Sequence, residues 1–223
     1  MNRRALCLTC CLGVIGAPVA AICPSPVPKA CSLFFESDAV FVAKVLSRAY
    51  ADNDESIRFE VRVSRVLRGD VKATAAVYTG NDSGRLNWDV GREYVVFASR
   101  REGRLWSGDD CGPLSDPTKV AQTLKEIEGL RHATKSSVEG QVLIGLPVNG
   151  GVPGVLVRAR GNGQTYEGKS DQQGKFRIEV PPGRYDVAID DRFAQYDINE
   201  ATHGTTKLSL VAGQCGQFQF VRR

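Results

Sequence analysis

Ile57-Arg58-Phe59-Glu60-Val61-Arg62-Val63 alternates apolar and polar side chains without a break. A period of two puts Ile57, Phe59, Val61 and Val63 on one face of an extended chain and the charged residues on the other. That is the pattern of a half-buried antiparallel strand. Upstream, Ala39 to Leu46 is a run rich in β-branched residues and reads as a buried strand. Downstream, Gly69-Asp70 ends the alternating strand. Ala73 to Tyr78 and Tyr94 to Ala98 read as further strands, separated by the polar loop Gly80 to Gly91, and Leu105-Trp106 closes the sheet.

A helix follows these strands. Asp116 can cap it, and Pro117 fits the first helical position, where its missing N–H costs nothing. Val120, Leu124, Ile127 and Leu130 recur at helical spacing and form one stripe facing the strands. Cys31 to Ser37 reads as a short helix as well. The small, polar stretch Ala133-Thr134-Lys135-Ser136-Ser137 then separates two differently patterned regions, and residues 133–137 are read as a linker. Beyond it come short strands at 138–144, 155–159, 165–170, 176–180, 185–189, 207–211 and 217–221. Turn signals such as Gly161-Asn162-Gly163, Gln173-Gly174 and Pro182-Gly183 divide them, a spacing that argues for a compact sandwich.

Compartment and partners follow from charge and cysteine. Met1 to Arg4 is a short basic head, Ala5 to Gly16 is apolar, and Ala17 to Ala21 supplies small residues. This order is that of a secretory signal over residues 1–21, cut before Ile22, and the apolar run is shorter than the roughly 20 residues a bilayer span needs. No stable membrane anchor is expected after its removal. A secreted or periplasmic chain would keep four of the seven cysteines, Cys23, Cys31, Cys111 and Cys215, and an even number outside the cytosol favours disulfides. Without Arg3 and Arg4 the basic residues number 27 against 25 acidic ones, interspersed along the chain. With no basic run to track a phosphate backbone, nucleic acid is not expected as a partner.

Motifs in the second half carry a resemblance. Val138-Glu139-Gly140-Gln141-Val142, Gly151 to Val157, Ser170-Asp171-Gln172-Gln173-Gly174-Lys175-Phe176 and Val180-Pro181-Pro182-Gly183-Arg184-Tyr185-Asp186-Val187 resemble a carboxypeptidase regulatory-like domain. The resemblance implies a prealbumin-like, Ig-like β-sandwich over 138–223 with no peptidase site, acting as an accessory module. In residue terms the motif is structural: Gly174 and Gly183 serve turns, and Asp171 can bond back to nearby amides.

The first half is similar to the netrin-like module of tissue inhibitors of metalloproteinases. The carriers are Cys23-Pro24, Cys31, Ser37 to Val45, Phe59 to Gly69, Gly91 to Ala98 and Cys111-Gly112. The likeness implies an OB-type barrel with a C-terminal helix over 22–132. It also raises an alternative function, metalloproteinase-type inhibition through the N-terminal cysteine strap. That chemistry needs a free amine on the cysteine itself, whereas cleavage before Ile22 leaves Cys23 second, and the family's Cys-x-Cys start is absent at Ser25. For the disulfides, Cys23 or Cys31 is expected to reach Cys111, with Cys23–Cys111 favoured. Cys215 then joins the remaining first-module cysteine or stays free.

Reaction chemistry is hard to place in this sequence. Gly80-Asn81-Asp82-Ser83-Gly84 falls one residue off a nucleophile elbow, and His132 and His203 are isolated. No Cys-x-x-Cys pair remains in the mature chain, so no metal and no cofactor is expected. Asp52-Asn53-Asp54-Glu55 and Asp109-Asp110 read as solvated loops rather than calcium sites. Trp88, Trp106, Tyr166 and Tyr196 are the candidates for a sugar- or peptide-stacking platform. The expectation is therefore a mainly β, exported, non-catalytic binding or scaffolding protein whose partner is an unidentified protein or carbohydrate.

Overall fold

The computed structural model describes residues 27–82, 84–108, 116–144, 150–190, 196–198 and 206–222. The chain is mainly β, built from a closed barrel followed by two packed sheets. After a short helix α1 (Ala30–Glu36) come β1 (Ala39–Ala51), β2 (Ser56–Arg68), β3 (Thr74–Gly80), β4 (Glu93–Arg101) and β5 (Arg104–Ser107). They close in the order β1-β2-β3-β5-β4, antiparallel throughout except for β3 beside β5. The alternation read in the sequence is the barrel's inside and outside. Ile57, Phe59 and Val61 are fully buried, while Arg58 and Arg62 lie outside.

Helix α2 (Val120–His132) plugs one side of this barrel. Its start follows the sequence: Asp116 accepts the Thr118 amide at 2.9 Å and Pro117 opens a single 3-10 turn. Ile127 is 1% exposed, and Val120, Leu124 and Leu130 pack against the same core. Burying a side chain of that size contributes roughly 1.5–3 kcal/mol. Arg131 reaches from α2 to the Leu67 carbonyl, tying the helix to the end of β2.

The second unit holds β6 (Ser136–Ile144), β7 (Leu156–Gly161), β8 (Gln164–Lys169), β9 (Lys175–Val180), β10 (Gly183–Ile189), β11 (Tyr196–Ile198), β12 (Lys207–Leu210) and β13 (Cys215–Arg222). One sheet runs β12-β10-β7-β8 and the other β11-β13-β6-β9, with β6 and β13 parallel. Val138, Val142, Val157, Phe176, Ile178, Val187 and Phe220 form the core between them. The turn before β9 behaves as its residues imply. The Asp171 carboxylate accepts the amides of Gln173 at 2.9 Å and Lys175 at 2.8 Å. Gly174 takes φ +74°, where a β-carbon would also overlap the Val142 carbonyl oxygen.

The linker expectation needs adjustment. β6 begins at Ser136, and Ser136 and Ser137 are buried, so only Ala133–Lys135 connect α2 to the sandwich. Small polar side chains suit a close-packed joint as well as they suit a free tether.

Candidate functional site

The joint between barrel and sandwich gathers the most concentrated polar chemistry among the described residues. On the sandwich, Gln217, Glu139 and Arg177 stand side by side across β13, β6 and β9. They occupy the outward face of that sheet, opposite the face that carries Val138 and Ile178. An outward face would ordinarily meet water, and along β9 it does, but around β6 and β13 it is covered: Glu139 is 3% exposed, and Ser137 and Gln219 are equally deep.

Lys29, just ahead of α1, is the barrel's answer to this row. Its Nζ lies 2.5 Å from one oxygen of Glu139, and Arg177 Nη1 lies 2.5 Å from the other. A buried carboxylate is costly unless its lone pairs are taken, and two cations take them here. The Lys29 amide donates to Gln217 Oε1 at 3.0 Å, and Gln217 Nε2 donates to the Val27 carbonyl at 3.1 Å. At the second residue of α1, Cys31 forms a disulfide with Cys215 at the start of β13, joining residues 184 positions apart. Gly213, at φ +84°, lies so close to the Leu130 carbonyl of α2 that a β-carbon would overlap it.

Beside this joint lies a cleft of about 720 Å³. Val27, Pro28, Leu130 and Ala133 line it together with Lys135, Arg177 and Glu126. Its size falls in the range of small-molecule sites. Cys31, Cys215 and Glu139 offer ligand atoms within 4.8 Å of one another. As the chain stands, the two sulfurs are bonded to each other and each carboxylate oxygen already meets a cation.

The candidate residues from sequence fall in different places. Cys31 and Cys215 meet, and Cys215 is therefore not free. Cys23 and Cys111 lie outside the described residues, as do the signal segment and the start of the inhibitor strap. The four aromatic rings do not make one platform. Trp88 is 2% exposed and packs between Phe59 and Tyr94 in the barrel core, so it offers no face to a ligand. Trp106 lies on the barrel against Tyr78, with ring centroids 5.6 Å apart, whereas Tyr166 lies on the sandwich against Tyr185. The side chain of Tyr196 is outside the described set. Trp88 stands in a loop two residues after the buried Leu86, a placement the sequence leaves open between core and surface, and barrel closure buries it.

Around Trp106 a smaller polar constellation remains. The Arg104 guanidinium sits 4.8 Å from the Tyr78 ring centre and pairs with both oxygens of Asp52 at 3.0 and 2.9 Å. The Ser56 hydroxyl, 2.6 Å from Asp52, and then Arg104 hold that carboxyl below the ordinary carboxylate range. The Asp52–Glu55 stretch is thus a hairpin turn, with Asp52 spent on a neighbouring strand. Asp109 and Asp110 are outside the described residues, as is His203. His132, on the exposed end of α2, contacts Glu128 at 3.2 Å.

No known sequence family matches the chain, and no curated protein matches it either. Among solved structures it is similar to the minor pilin of the Gram-positive pathogen Streptococcus agalactiae, at 8% identity and a TM-score of 0.31 over 84% of each chain. No helix among the described residues is long and apolar enough to cross a membrane.

Sequence reasoning missed the joint. Glu139, Gln217 and Gln219 occupy alternate, polar strand positions, which read as solvent-facing. The available signal was weak: amides and a single carboxylate stand where exposed strands more often carry Lys or Thr.

Proposed function

We propose that this chain is an exported, non-catalytic scaffolding or binding protein whose barrel and sandwich act as one stapled body. The observation that carries this reading is the Cys31–Cys215 disulfide across the module joint. Such a bond persists outside the reducing cytosol, and it does nothing for either module's own core. Its effect falls on how the modules sit relative to each other. A protein that must present two surfaces in fixed register to a partner benefits from such a staple. Partner recognition is assigned to the joint cleft, with apolar and charged lining, and to the Tyr78–Trp106 surface, where the Arg104–Asp52 pair stands beside the aromatic rings. Both suit protein or carbohydrate ligands.

Cell fractionation with a non-reduced peptide map tests the proposal. The expected result is a chain beginning at Ile22, outside the cytosol, with a peptide pair crosslinked through Cys31 and Cys215. An unprocessed cytosolic chain whose two thiols alkylate without prior reduction would overturn it. A glycan and peptide array run on the oxidised chain then identifies the partner class.

A further inference from the structure

Two cysteines and one carboxylate converge at the joint from three separate elements. Cys31 comes from α1, Cys215 from the first position of β13, and Glu139 from the neighbouring strand β6. Cys215 pairs with Ser137 and Gln217 with Glu139, so Cys215 and Glu139 share one face of the sheet. The two sulfurs and a Glu139 oxygen all lie within 4.8 Å of one another. Cys215 and Glu139 are buried, whereas Cys31 is half-buried and lines the joint cleft. The cluster is therefore closed on the sandwich side and reachable from the cleft.

Two sulfurs and one carboxylate oxygen are a donor set for zinc, which accepts both in a tetrahedron; calcium and magnesium take oxygen alone. Zn–S bonds of about 2.3 Å at tetrahedral angles hold two sulfurs about 3.8 Å apart. The Cα atoms of Cys31 and Cys215 are 5.3 Å apart, so side-chain rotation reaches that spacing once the bond between the sulfurs is opened. Glu139 need not release its cations, because each carboxylate oxygen carries two lone pairs. Lys29 meets one oxygen and Arg177 the other, which leaves a second lone pair on each. The outer contacts that orient a ligating carboxylate in metal sites are thus already in place. Charge balances as well. A disulfide and a zinc ion held by two thiolates are both neutral, so Glu139, Lys29 and Arg177 face the same net charge in either state.

We propose that, once the Cys31–Cys215 bond is reduced, the two sulfurs and Glu139 bind a zinc ion, with a water completing the tetrahedron. A dithiol supplies the two electrons. The S–S bond breaks, each sulfur takes a proton, and the dithiol becomes its own disulfide. Zinc(II) then displaces both thiol protons to solvent and forms two Zn–S bonds and one Zn–O bond. The inference rests on the stapled-body reading and extends it. The joint is fastened by S–S in the oxidised chain and by S–Zn–S in the reduced one.

Cobalt(II), a coloured stand-in for zinc, tests this on the purified chain, oxidised and after reduction with a phosphine that does not compete for metal. The reduced chain should develop the visible bands of tetrahedral cobalt and a sulfur-to-cobalt charge-transfer band, and zinc should bleach both. The oxidised chain should show neither. Cys31→Ser and Cys215→Ser should each abolish the charge-transfer band at equal cobalt, while Cys23→Ser with Cys111→Ser keeps it. Glu139→Gln should weaken zinc binding by at least about tenfold. Thiol alkylation mapped by mass spectrometry needs no variant, and zinc should protect Cys31 and Cys215 in the reduced wild-type chain. A reduced chain without the cobalt bands overturns the proposal. So do bands that persist without Cys31 and Cys215, a zinc affinity unchanged in Glu139→Gln, or alkylation at both cysteines that ignores zinc. Cys31 and Cys215 alkylating before any reduction would instead sink the stapled-body reading and leave the metal site to the cobalt result.

Discussion

Removing the staple with Cys31→Ala and Cys215→Ala together is the sharpest test of the stapled-body reading. Alanine keeps each β-carbon, so little packing is lost at Cys215, which is 1% exposed. The main effect is on the unfolded chain. Closing a loop across a sequence separation of 184 corresponds to roughly 5 kcal/mol of denatured-state entropy at 25 °C by the chain-entropy relation, an upper figure for this bond. The two tryptophans, Trp88 and Trp106, both belong to the barrel, so fluorescence reports that module alone, while far-UV circular dichroism reports both. In urea the oxidised chain should give coincident transitions by the two probes. The double variant should show a lower fluorescence midpoint and a separate sandwich transition. Coincident probes together with a loss of under about 1 kcal/mol would refute the reasoning, because the non-covalent contacts at the joint would then suffice to couple the modules.

Other perturbations read single parts of the fold. Glu139→Ala deletes the carboxylate that holds Lys29 and Arg177. It should cost about 2–3 kcal/mol and increase protease sensitivity at Ala133–Lys135, measured by limited proteolysis. Gly174→Ala should destabilise the sandwich by more than about 1 kcal/mol, since φ +74° and the Val142 carbonyl both oppose a β-carbon; thermal melts would check it. Tyr185→Phe removes a hydroxyl that donates to the Pro181 carbonyl at 2.7 Å and should cost roughly 1 kcal/mol. Burial, and secondarily the neighbouring Tyr166, raises the Tyr185 pKa above its ordinary 10.0. The folded chain therefore holds this proton more tightly than the unfolded one. Its contribution is full below about pH 10 and is lost as pH rises through the folded value, so the wild-type chain should lose more stability at alkaline pH than Tyr185→Phe.

Much of this protein was written in local pattern. The alternation from Ile57 to Val63, the Asp116-Pro117 helix start and the Asp171 turn each appear where the residues placed them, because strand pleat, helix capping and turn chemistry act over a few neighbours. The three-residue strand β11 carried no comparable period and was not read. Pairing across the chain was open in the same residues: four cysteines allow three connectivities, and nothing near Cys31 or Cys215 chooses between them. Trp88 was equally undecided between core and surface until the barrel closed around it. The joint depended most on tertiary structure. Glu139 and Gln217 obey the period of an outward sheet face, and their burial results from a second module packing on that face. A side chain's own neighbours fix which way it points, whereas what it meets there depends on a surface brought in from more than a hundred residues away.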